Sequence, residues 1–201
     1  MKNLFIYAII IVLISGCVNI KSKYVPLNFY TIQQAPLNNS INTKIDKSIF
    51  IKQFDVDEEL QTSRIAVSDG YNLIYYNYHL WALPLDELLT NYTINRFSEY
   101  NIFTKPVNKS IFIASPDYIL ECKTNTFKIT KSNSENSVNI ILTANLYKYN
   151  SDTKDYQICF TNNYSKKEKI NNFTLELMIA NVENIISEIT DNMLKDISNV
   201  K

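Results

Sequence analysis

The sequence predicts one α/β domain: a mixed β-sheet flanked by helices, with an antiparallel meander over about residues 117–164 and a long C-terminal helix. Three observations predict it. Residues 117–131, 137–149 and 155–164 alternate apolar and polar side chains, and polar turns at 132–136 and 150–154 separate them. Leu175, Met178, Val182, Ile185, Ile186, Ile189, Met193 and Ile197 fall on one stripe at helical spacing. Residues 81–89, WALPLDELL, end a strand pattern and begin a helix: Pro84 suits a first turn, and Asp86 and Glu87 complement the positive end of the helix dipole.

The first residues read as a processing signal. Lys2 supplies the positive end, residues 4–14 are unbroken apolar chain, and the run is short for a bilayer span. It closes on Leu13-Ile14-Ser15-Gly16-Cys17, the pattern of a bacterial lipobox. The small Ser15 and Gly16 admit a peptidase to the backbone, and the Cys17 thiol is the acyl acceptor. The alternatives are an ordinary signal peptide or an uncleaved anchor with a chance cysteine. The predicted organisation is a lipoprotein signal peptide over 1–16, a lipidated tether over 17–27 and one domain over 28–201. Several acyl chains on Cys17 meet the need for more than one chain in stable anchoring. Val18 follows the cysteine, where an aspartate would retain an enterobacterial lipoprotein at the inner membrane. The expected address is therefore the periplasmic face of the outer membrane. The tether from Cys17 to Asn28 reaches at most about 36–40 Å, so the domain works close to the membrane surface.

Strands are expected at 28–33, 48–54 and 64–67, with a polar loop at 35–47 and a helical turn within the acidic 55–62, where Leu60 is the anchor. Asp69-Gly70 is a hairpin signal. Residues 71–80 carry apolar or aromatic side chains on both parities, which predicts a strand covered on both faces, by helices above and below or by a partner. The helix from Pro84 is expected to run to Tyr100, with Leu85, Leu88, Leu89, Tyr92 and Tyr100 on its inner face. Ile94 and Phe97 fall off that stripe and hint at a neighbour. Arg96 falls on it and is expected to snorkel at the core's rim. A short edge strand is expected over 103–107, interrupted by Pro106, and the IFIA run at 111–114 could be extended. In the meander, Val138, Ile140, Leu142, Ala144 and Leu146 face inward, as do Tyr156, Ile158 and Phe160 on the third strand. Parity places Cys122 inward and Cys159 outward, two strand spacings apart, so two free thiols are expected, one of them buried. Asn172 is the expected cap of the last helix, which either packs across the sheet or binds a partner.

Charge balances at 20 basic against 20 acidic residues, which leaves no field to hold nucleic acid. With 2 glycines in the whole chain, no phosphate-cradling loop can be built. The single histidine, His79, lies among Tyr, Asn and Leu and reads as structural rather than as a general base. Asp55, Asp57, Glu58 and Glu59 are hard oxygen ligands without a calcium-loop spacing, so a solvated turn is expected. No catalytic constellation is legible, no cofactor or metal is expected, and the reading is of a non-enzyme.

Several motifs then converge. The lipobox at Cys17, Tyr30-Thr31-Ile32, Ser63-Arg64-Ile65, Tyr76-x-Tyr78, Trp81-Ala82-x-Pro84-Leu85 and Asp117-Tyr118-x-Leu120 stand in an order and spacing that resembles the ABC-type transport auxiliary lipoprotein family, of the PqiC-like kind. The resemblance covers roughly residues 30–164. It departs at Leu80, where that family often carries Arg. The resemblance implies a mixed sheet flanked by helices and an outer-membrane lipoprotein. It implies a non-catalytic accessory role in MCE/ABC-type phospholipid transport between the two membranes. Its implied partners are an MCE-domain protein and an ABC permease complex, with a homo-oligomeric ring as a further expectation. Arg64, Tyr76, Trp81, Pro84 and Leu85 are the motif residues and candidate interface. The alternative is a structural assembly lipoprotein, a pilotin or an outer-membrane assembly factor.

Overall fold

The computed structural model describes residues 24–37, 41, 43–108 and 115–200. The signal segment, Cys17, the first part of the tether and the 111–114 run lie outside those residues. The described chain forms an eight-stranded mixed sheet and two long helices. In order these are β1 (Asn28–Tyr30), β2 (Ile49–Ile51), β3 (Arg64–Asp69), β4 (Asn72–Trp81), α1 (Leu85–Tyr100), β5 (Val107–Asn108), β6 (Tyr118–Thr130), β7 (Ser137–Asn150), β8 (Asp155–Lys169) and α2 (Leu175–Ser198). The predicted α/β class, the meander and the long C-terminal helix are all present.

The sheet is organised around β6. One of its edges pairs antiparallel with β7, and β7 with β8. Its other edge is shared. β2 runs parallel to its start, from Ile49 beside Tyr118 to Ile51 beside Leu120, and β3 meets its far end at Ser68 beside Thr130. β5 pairs parallel outside β2, at an edge as expected, but it holds only Val107–Asn108, after Pro106, while Phe103 makes an isolated bridge to Ile45. The β3–β4 hairpin turns at Gly70, whose φ of 61° is the left-handed conformation that a Cβ disfavours. β1 then lies parallel to the end of β4.

Both helices cover the same face of the sheet. Cys122 meets Met193 of α2 at 3.9 Å between sulfurs. Tyr118, on the same parity as Cys122, packs edge-on to Phe103, which stacks on Phe97 of α1. The stripe of α2 from Met178 to Ile197 is buried, together with Ile179 and Leu194. Each such aliphatic side chain stabilises the fold by about 1.5–3 kcal/mol relative to its exposed state. The helix therefore packs across the sheet, the first of the two alternatives its pattern offers. Its cap is Thr174 rather than Asn172: the Leu177 N–H donates to the Thr174 hydroxyl at 3.2 Å.

Other expectations are corrected. β4 is not covered on both faces. It lies beyond the helices, and Leu73, Ile74 and Tyr78 are exposed. On β8, Leu146 pairs with Phe160 but Tyr147 pairs with Ile158, so Cys159 is an extra, bulged residue. A one-residue bulge inverts parity. Phe160 and Tyr164 therefore face the core side, while Ile158 points to solvent and Tyr156 is only half-buried. The same device at Asn125 resets β6, so that Tyr118, Leu120 and Cys122 before it and Phe127 and Ile129 after it are all buried. β1 and β2 are each shorter than expected, β8 is longer, and Pro84 is the residue before the helix rather than its first turn.

Candidate functional site

The corner where β4 ends and α1 begins gathers most of the motif residues. Trp81 pairs with Tyr30 of β1, and its N–H donates to the Ser63 carbonyl at 2.6 Å. The Ala82 N–H donates back to the Tyr30 carbonyl at 2.7 Å. These bonds tie three segments together around one indole, which is buried. Pro84 turns the chain with ψ of 146° and offers no side-chain cap; the Leu88 N–H donates to its carbonyl at 2.9 Å. Leu85 is buried beneath the first turn. Arg64 lies opposite Leu80 across the β3–β4 pair, is exposed, and sets its guanidinium 4.5 Å over the Tyr75 ring. Between Arg64 and Ala66 the register slips from Leu80 to Tyr75, so Tyr76 sits on the irregular stretch of β4, half-buried against the core. Trp81, Pro84 and Leu85 thus form one unit. Arg64 flanks it, and Tyr76 joins it through His79, whose ring it meets edge-on.

His79 accepts or donates a 2.9 Å hydrogen bond between Nδ1 and the Tyr30 hydroxyl, and the two rings stack at 5.8 Å. Burial raises the Tyr30 hydroxyl's pKa, and the charge of Glu176 adds to it. The pair ties β1 to β4 and suits a structural role. The acidic run is a turn: Asp55 pairs with Lys123 at 3.4 Å, and Glu58 and Glu59 lie in a 3-10 turn. Among the described residues no cluster of three or more His, Cys, Asp or Glu is placed to hold a metal.

Arg96 is where sequence reasoning missed most. It does not snorkel; its side chain is fully buried between the helices. Nε donates to Asp191 Oδ1 at 2.6 Å and Nη2 to Asp191 Oδ2 at 2.7 Å, a forked pair. Nη1 donates to the Ala35 carbonyl, and the group lies 5.1 Å from the Tyr100 ring centre. Burial works against this charge, but the Asp191 bonds outweigh it and raise the guanidinium pKa. The cluster pins α1, α2 and the 33–35 segment together. Asp191 sits on the polar side of the α2 pattern, and no local signal marks it. Phe97 is fully buried too, within its own core rather than against a neighbour.

An open groove of about 490 Å³ lies where β3 and β6 diverge. Asp57, Glu59 and Lys128 mix there with Leu60, Ala66 and Phe127. It is not an enclosed apolar pocket of the kind that buries a lipid chain. Cys122 and Cys159 are both free, the first buried and the second exposed, as expected, although Cys159 is exposed at the β8 bulge rather than by strict alternation. No described helix is long and apolar enough to cross a membrane.

No protein-family model matches the chain, and no curated protein matches it. Solved structures do. A Xanthomonas campestris protein described under the family model DUF330 superposes with a TM-score of 0.69 at 15% identity, over 83% of this chain and 92% of that one. The fold is that of the DUF330 protein. An uncharacterized protein matches at 0.66 and 15% identity over 86% of this chain and 99% of its own. The hypothetical protein CT253 of Chlamydia trachomatis matches at 0.52 and 6% identity over 78% and 98%. At these identities the likeness is one of fold.

Proposed function

We propose that the protein is an outer-membrane-anchored periplasmic lipoprotein and a non-catalytic accessory component of an MCE/ABC-type phospholipid transport system. The observation that carries this reading is the corner Trp81-Ala82-x-Pro84-Leu85, in the order and spacing of the ABC-type transport auxiliary lipoprotein family. Two further features support it. The lipobox ending at Cys17 supplies an anchor. The mixed sheet with both helices on one face leaves a broad, open sheet surface, with Asn125, Thr143 and Asn163 linked by side-chain hydrogen bonds across three strands. Such a polar face suits docking to another protein better than enclosing a lipid. In this reading the domain receives an MCE assembly at the outer membrane. Recovery of an MCE-domain protein and its ABC permease from detergent extracts tests it, with native mass spectrometry of the product reading any ring. Repeated recovery of outer-membrane assembly proteins alone would sink it and favour the assembly-factor reading.

A further inference from the structure

The seam between β1 and the end of β4 has two unlike sides. On one side Trp81 is buried in the core and its partner Tyr30, half-buried, packs against that core. On the other, Phe29 pairs with Leu80, and Tyr78 stands exposed two residues earlier on β4. Phe29 is 61% exposed and Tyr78 48%, although both are aromatic. The exposure continues back along the chain: every residue from Tyr24 to Phe29 is exposed, including Val25 and Leu27 at 44% and 50%. Isolated exposed apolar residues are ordinary, but a contiguous run of them marks an interaction surface.

We propose that this side of the β1–β4 seam rests on the bilayer that holds the Cys17 acyl chains, with Leu27, Phe29 and Tyr78 seated at the headgroup–acyl boundary. The proposal rests on the lipoprotein reading and adds to it a defined orientation of the domain. Three observations select a lipid surface as the occupant. First is the chain length: from Cys17 to Tyr24 the backbone spans at most ~25 Å, so the patch cannot stray far from the membrane. Second is the charge. Lys21 and Lys23 immediately precede the patch in the sequence and complement anionic headgroups. Third is the residue type, because Tyr at 24 and 78 has the amphipathic ring favoured at a membrane interface. The acyl chains alone hold the protein to the membrane. What the patch contributes is which way the domain faces, so the measurement must read depth rather than binding.

The lipidated full chain is reconstituted into phosphatidylethanolamine–phosphatidylglycerol vesicles with or without brominated acyl chains. Phe29→Trp reports the seam, and Ile158→Trp, on β8 at the far edge of the sheet, reports a surface away from it; the buried Trp81 is a shared background. Both substitutions are at exposed positions. Phe29→Trp is expected to shift to the blue and to be quenched about twofold by brominated lipid, as a ring ~5–10 Å into the boundary requires. Ile158→Trp is expected to stay unquenched. Phe29→Trp emission matching that of Ile158→Trp overturns the proposal while vesicle flotation leaves the anchor standing. A blue shift without bromine quenching also overturns it, in favour of a second protein copy on the seam. Loss of flotation, with no acylated Cys17 by mass spectrometry, overturns the lipoprotein reading and the proposal together.

Discussion

Replacing Trp81 with alanine tests whether the β4–α1 corner is core or interface. The indole is 2% exposed and sits where β1, β4 and the entry to α1 converge. Burying an aromatic of this size removes roughly 150–250 Å² from water. At about 25 cal/mol per Å² that is ~4–6 kcal/mol as an upper figure, and the unfolded chain's own compactness reduces it. Measured Trp→Ala losses of about 3–5 kcal/mol agree with the reduced figure. In a domain of this size such a loss lowers Tm by about 6–20 °C. Urea denaturation followed by far-ultraviolet circular dichroism is the suitable assay, because the variant loses the only tryptophan in the chain. Trp81→Phe should recover part of the loss by refilling the cavity. The backbone bonds from Trp81 to Ser63 and from Ala82 to Tyr30 do not depend on the side chain, so the fold should persist at low temperature. If Trp81→Ala keeps the parent's stability within about 1 kcal/mol, the burial argument fails. If it also loses its partner in co-purification, the corner is an interface.

Three other outcomes follow from named contacts. Asp191→Ala strands the buried Arg96 charge and should cost about 3–5 kcal/mol, whereas the double variant Arg96→Met, Asp191→Leu should recover most of it; a double variant no better than the single would refute the pairing argument. A maleimide reagent should label Cys159 in the native protein and Cys122 only after unfolding, because burial pushes the Cys122 thiol pKa far up and Met193 covers its sulfur; labelling of both at one rate would place β6 wrongly. Asp117 is partly desolvated, but the Ser48 amide and hydroxyl and the Lys47 ammonium outweigh that and depress its pKa. A depressed folded pKa contributes stability above the unfolded value and loses it as pH falls through the folded one. Stability should therefore decline below about pH 4, and Asp117→Asn should flatten that decline in a pH series of urea melts.

What was readable locally came from short-range rules. The strands of the meander, the Gly70 turn, the start of α1 just after Pro84 and the α2 stripe each depend on neighbours within a few residues. Periodicity reports them for that reason. Parity failed where a bulge intervened. A strict period of two puts Tyr156 and Ile158 inward, and nothing in the local sequence announces that Cys159 is an inserted residue. Coverage failed at β4 for a related reason. Apolar residues on both parities look the same whether helices cover the strand or leave it open, and only the sheet order puts β4 beyond α1 and α2. Among the motif residues, Trp81 and Leu85 proved to be core and Arg64 surface, a distinction composition cannot draw.

The chain's own pattern determined the class of fold, the meander, both helices and the burial of Cys122, since those follow from alternation and helical spacing. Tertiary structure alone decided that both helices share one face, that β6 has parallel neighbours on one edge, and that Arg96 is buried against Asp191. Arg96 and Asp191 lie on different helices, far apart in sequence. Their meeting is set by how two apolar stripes settle onto one sheet, and no local rule carries that information.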